Sequence, residues 1–79
     1  MDTITKKEIY DLLCGLKETS KVFNMMNGSL YSSIYADEMN DIIYKLQDRY
    51  SVHVDFYQPC DGRAVFLNLD KLIDEYKII

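Results

Sequence analysis

The chain has no tryptophan, one proline, one histidine, three glycines and two cysteines in 79 residues. Each scarcity removes a class of chemistry. Gly15, Gly28 and Gly62 are isolated from one another, so no glycine-rich loop can cradle a phosphate. His53 is the only imidazole, and although Cys60 lies across a turn from it, no third group stands at a spacing that would orient such a pair. Asp55 and Asp61 could pair as carboxylates, but acidic loops and strands bring carboxylates together by chance. Cys14 and Cys60 are far apart and outside any Cys/His cluster, which argues against zinc. EF-hand spacing is missing as well. The expectation is therefore a non-enzymatic chain without catalytic residues, metal or cofactor. No apolar run approaches the roughly 18–20 residues of a membrane span. The stretch Met1–Glu8 lacks a hydrophobic signal segment. These readings predict a cytoplasmic location without membrane contact, where both cysteines stay free thiols.

A hydrophobic fraction of 48% is enough for a real core rather than disorder. The length predicts one domain, 1–79. A chain this short buries only about 60–65% of its unfolded surface, so self-association is a common remedy and a homodimer is one expected form of partner.

The clearest stretch runs from Asp37 to Leu69. Met39, Ile42, Ile43, Leu46 and Tyr50 recur at steps of three and four, which places them on one face of a helix over Asp37–Tyr50. The period then changes to two. Val52, Val54 and Phe56 alternate with His53, Asp55 and Tyr57, predicting a strand over Val52–Tyr57. Pro59 presets one dihedral of the turn Gln58–Arg63, and Gly62 after Asp61 tolerates a positive φ. Ala64–Leu69 is the return strand, apolar on both faces and so expected to be covered on both or central in its sheet.

Upstream, Thr5 and Glu8 have the form of a capping box, and Ile9, Leu12, Leu13 and Leu16 predict a helix over Lys6–Glu18. Gly15 inside it suggests close packing against another element. Asp70 reads as the N-cap of a last helix, Lys71–Lys77. Residues 19–36 support two readings. Asn27-Gly28 between β-prone runs signals a hairpin, and the weak helix formers Thr19, Ser20, Val22, Ser32 and Ser33 agree with it. Alternatively, Leu30, Ile34 and Tyr35 carry the helical spacing into Met39, with Asn27-Gly28 ending one long helix and Ser29 starting another. The predicted fold class is α+β, with three helices packed on a small antiparallel sheet. The favoured order is helix–hairpin–helix–hairpin–helix; the alternative is two long helices, one β-hairpin and a C-terminal helix.

Charge and tyrosine carry the functional reading. Residues 1–36 balance four acids against four bases, whereas residues 37–79 hold nine acids against five bases, the whole of the net −4. Such a segment repels phosphate backbones and attracts basic partners. Seven tyrosines stand in the chain. An exposed tyrosine among acids suits a protein-binding surface, because its ring buries area at low entropic cost and its hydroxyl still bonds. The candidate binding residues are Asp37, Glu38, Asp41, Tyr44 and Asp48 on the helix, with Asp55, Tyr57 and Asp61 on the hairpin. The expected partner is a protein with a basic surface.

Two resemblances bear on this. A helix followed by a hairpin resembles the end of a winged-helix domain, which implies a nucleic-acid-binding regulator. Asp37, Glu38, Asp41 and Asp48 stand on the helix that would face phosphates, so direct nucleic-acid binding is not expected. In size, acidity and tyrosine content the chain is similar to small phage anti-defence proteins such as anti-CRISPRs. That likeness is compositional, covers no motif and transfers no residue. It implies an inhibitor that blocks a basic, nucleic-acid-handling host complex. A homodimeric scaffold is the third expectation.

Overall fold

Two long helices form the body of the protein. The structure, a computed structural model, describes residues 2–26, 32–58 and 63–77. In chain order these are α1 (Thr3–Met25), α2 (Ser32–Tyr50), β1 (Phe56–Tyr57), β2 (Val65–Phe66) and α3 (Leu69–Tyr76). The fold class is the expected one, α+β with three helices and a small antiparallel sheet. Within it, the chain takes the arrangement of two long helices, one hairpin and a C-terminal helix. The residues flanking the Asn27-Gly28 pair are helical on both sides; the pair itself, with Ser29, Leu30 and Tyr31, lies outside the described residues.

Packing explains why propensity loses at 19–25 and 32–36. The buried face of α1 is Ile9, Leu13, Leu16, Ser20 and Phe23, a single rhythm of four and three residues running through the weak formers. The Ser20 hydroxyl donates to the Lys17 carbonyl at 2.8 Å, so its burial leaves no polar atom stranded. On α2, Tyr35 and Ala36 extend the stripe of Met39, Ile42, Ile43, Leu46 and Tyr50 against the core. Amphipathic packing supplies most helical stability and overrides a few tenths of a kcal/mol per residue of propensity.

The termini differ from expectation too. Asp2, not Thr5, caps α1: its carboxylate accepts the Thr5 N–H at 2.7 Å. That backbone hydrogen bond holds the Asp2 carboxyl below its usual range. Glu8 instead accepts the Tyr50 hydroxyl at 2.6 Å, tying the start of α1 to the end of α2. Ser51 then stops α2 with a left-handed φ of 56°, and its N–H donates to the Gln47 carbonyl at 3.1 Å. Gly15 is not a point of close approach, since a Cβ there would lie 4.0 Å from Ile42 Cδ1, ordinary contact.

The strands are shorter than the alternation implied. Phe56 pairs with Phe66 and Tyr57 with Val65. Val52 and Val54 are buried as expected, but Phe56, assigned to the same face, is 41% exposed. Beyond one more backbone bond, from the Leu67 N–H to the Asp55 carbonyl at 2.9 Å, side chains replace the ladder. Asn68 accepts the Asp55 N–H at 2.8 Å and donates to the His53 carbonyl at 3.0 Å. Asn24 of α1 does the same to the residue before β2, accepting the Ala64 N–H at 2.8 Å and donating to its carbonyl at 3.2 Å. β2 is therefore not central in a sheet: a carboxamide stands where a third strand would be, and Leu67 is exposed. Because Asn68 serves the strand, it precedes α3 without capping it by its side chain. Asp70, expected as the cap, lies in the first turn of α3 and pairs with Lys17 at 2.9 Å. That hydrogen bond raises the Lys17 ammonium above its ordinary range.

Candidate functional site

The core face of α2 points along Met39 and Leu46. At 3.6 residues per turn, Asp37, Asp41, Tyr44 and Asp48 project within about 30° of the opposite direction, away from the rest of the fold. All four are exposed, Tyr44 at 71%. Glu38 stands on the flank of this stripe and is exposed. Ile34, 59% exposed, lies near its start. Tyr44, Gln47 and Asp48 border a shallow depression of about 250 Å³. Asp41 reaches Lys45 at 4.0 Å, one turn on, a loose surface pair.

The hairpin residues occupy a different position. Asp55 is exposed, and its carboxylate lies 2.9 Å from His53 Nε2. Tyr57 is half exposed, and by strand alternation it lies on the side opposite Phe56 and Gln58. Asp61 and Cys60 fall outside the described residues, so the Asp55–Asp61 and His53–Cys60 pairings do too. Among the described residues no cluster of three or more His, Cys, Asp or Glu could hold a metal ion. No described helix is long and apolar enough to cross a membrane.

The tyrosines divide clearly. Tyr35, Tyr50 and Tyr76 pack against the core and Tyr10 is half-buried, whereas Tyr44 and Tyr57 are exposed. Tyr31 is outside the described residues.

One feature has no counterpart in the sequence reading. Beside the acidic stripe, α2 and the hairpin leave a cleft of about 240 Å³, walled by Met39, Ile43, Phe56 and Phe66 with Asn40 and Gln58 at its polar positions. The rings of Phe56 and Phe66 are 5.7 Å apart between centroids. The sequence holds no signal for it, since Phe56 alternates with Val52 and Val54 and reads as core.

No protein-family model, no curated protein and no solved structure matches this chain.

Proposed function

We infer that this is a non-enzymatic protein-binding module whose contact face is the outer side of α2, and that its partner is basic at the contact. The observation that carries this reading is Tyr44, an aromatic side chain 71% exposed among Asp37, Asp41 and Asp48 on the side of the helix that the core does not use. A ring with a hydroxyl, surrounded by carboxylates, combines an anchor with charge complementarity. The most specific form of this reading is an inhibitor that fills a basic groove otherwise occupied by nucleic acid. Asp37 and Asp41 are separated by about 6 Å along the helix axis, which sets one carboxylate against roughly every second charge of a nucleic-acid strand at about 3.4 Å of axis each.

The test uses a short oligoarginine as a defined basic probe against isotope-labelled protein. Shift changes concentrated at Asp37, Asp41, Tyr44 and Asp48, weakening with added salt and lost in the Asp41→Lys/Asp48→Lys variant, are the expected result. Changes spread evenly over the acids of α1 and α3, or unaffected by the charge reversal, would remove the outer face of α2 as the contact surface.

A further inference from the structure

The cleft between α2 and the hairpin adjoins the acidic face. On a helix, residues three and four apart are surface neighbours. Asn40 therefore touches both territories: Ile43 on the cleft side, Asp37 and Tyr44 on the acidic side. Its carboxamide and that of Gln58, both exposed at the cleft, make no hydrogen bond within the described residues. The contrast with Asn24 and Asn68 is informative. Those two carboxamides each bind peptide N–H and C=O groups, so this fold already shows twice how a side-chain amide grips extended backbone.

We propose that the cleft is the anchor site of the basic partner: it receives an extended, arginine- or lysine-rich peptide segment that inserts one aliphatic side chain. The apolar group lies among Met39, Ile43, Phe56 and Phe66. Asn40 and Gln58 hold the peptide groups on either side, and the flanking cations meet Asp37 and the stripe beyond it. The charge argument selects this occupant, because an apolar segment flanked by acids would be repelled by the same face. A cleft of about 240 Å³ is near the low end of ligand-site volumes and suits one side chain rather than a large molecule. The proposal rests on the acidic-face reading and adds the partner's chemistry to it.

The experiment titrates the protein with two capped pentapeptides, one with leucine between two arginine pairs and one with glycine in place of the leucine. The leucine peptide should bind at least about ten-fold more tightly, the worth of one buried aliphatic side chain. It should shift the side-chain amide signals of Asn40 and Gln58 and bind less well to the Asn40→Ala/Gln58→Ala variant, whose changes are both on the surface. Equal affinities for the two peptides, or no binding of the leucine peptide at millimolar concentration, overturn the anchor site. The Asp41→Lys/Asp48→Lys variant separates this from the underlying reading. If it weakens both peptides equally while leucine confers no advantage, the acidic face stands and the cleft falls. If the leucine preference survives and the charge reversal changes nothing, the cleft stands with an occupant that need not be basic, which refutes the proposed partner class.

Discussion

Gly15 sits in the middle of a 23-residue helix without a structural reason to be glycine. A Cβ at this position meets only Ile42 Cδ1, at 4.0 Å. Glycine costs a helix interior about 1 kcal/mol relative to alanine, partly through the freedom of the unfolded chain. Gly15→Ala should therefore stabilise the fold by about 0.5–1 kcal/mol and raise the thermal midpoint by about 2–8 °C in a domain of this size. Calorimetry decides it: a lowered midpoint would mean that α1 and α2 approach more closely at Ile42 than this contact allows. The sequence offered Gly15 as a mark of tight packing, which is the usual meaning of a helical glycine. Only the distance to the neighbouring helix could show otherwise.

Among the elements, legibility followed how local the deciding force was. The helix through Ile9 and Leu16 and the helix through Met39 and Leu46 were readable because their apolar rhythm is written in consecutive turns. Residues 19–36 were not, because Ser20 and Phe23 belong to the α1 stripe only once α2 lies against it. The strands were half readable. Val52 and Val54 alternate as the sequence implied, but the partner of the backbone between them is the Asn68 carboxamide, and no pattern in the chain announces a side chain in that role. The candidate site divides in the same way. Exposure of Asp37, Asp41, Tyr44 and Asp48 follows from helical spacing, whereas the cleft at Asn40 needs the hairpin brought beside α2. The Asn24 clamp is the element-level prediction. Asn24→Leu keeps the branched shape and removes both bonds to Ala64, leaving a buried N–H and C=O unpaired. The expected loss is about 1–3 kcal/mol by denaturant titration, with α1 helicity retained in far-ultraviolet dichroism. A loss below about 0.5 kcal/mol would show that water replaces the carboxamide.

At the scale of the whole molecule, the core is small and leans on few residues. Among the described residues, Ile9, Leu13, Leu16 and Leu46 are the fully buried large side chains. Leu46 comes from α2 and meets the others from α1, so Leu46→Ala should cost about 2–4 kcal/mol. That is a large part of the about 5 kcal/mol at the low end for native domains. The variant should unfold near or below physiological temperature; a midpoint within a few degrees of the parent would mean that the core collapses around the gap.

The two carboxamide clamps also impose an order on assembly and on loosening. The helices meet through repetitive packing along their lengths, whereas Asn24 must find Ala64 across 40 residues of chain. Closing that long loop brings little reward until both helices are in place, so the hairpin joins last. In the native state the sequence of events reverses. A two-residue ladder has few hydrogen bonds to lose, so the hairpin should open before the helical pair, at the cost of exposing Val52, Val54 and Ala64. Deuterium should then enter at the amides of Asp55 and Ala64 well before it reaches Leu13 or Leu46, and the cleft would breathe with the same opening. The cleft would thus have one wall on the helical pair and the other on the part of the fold that opens first.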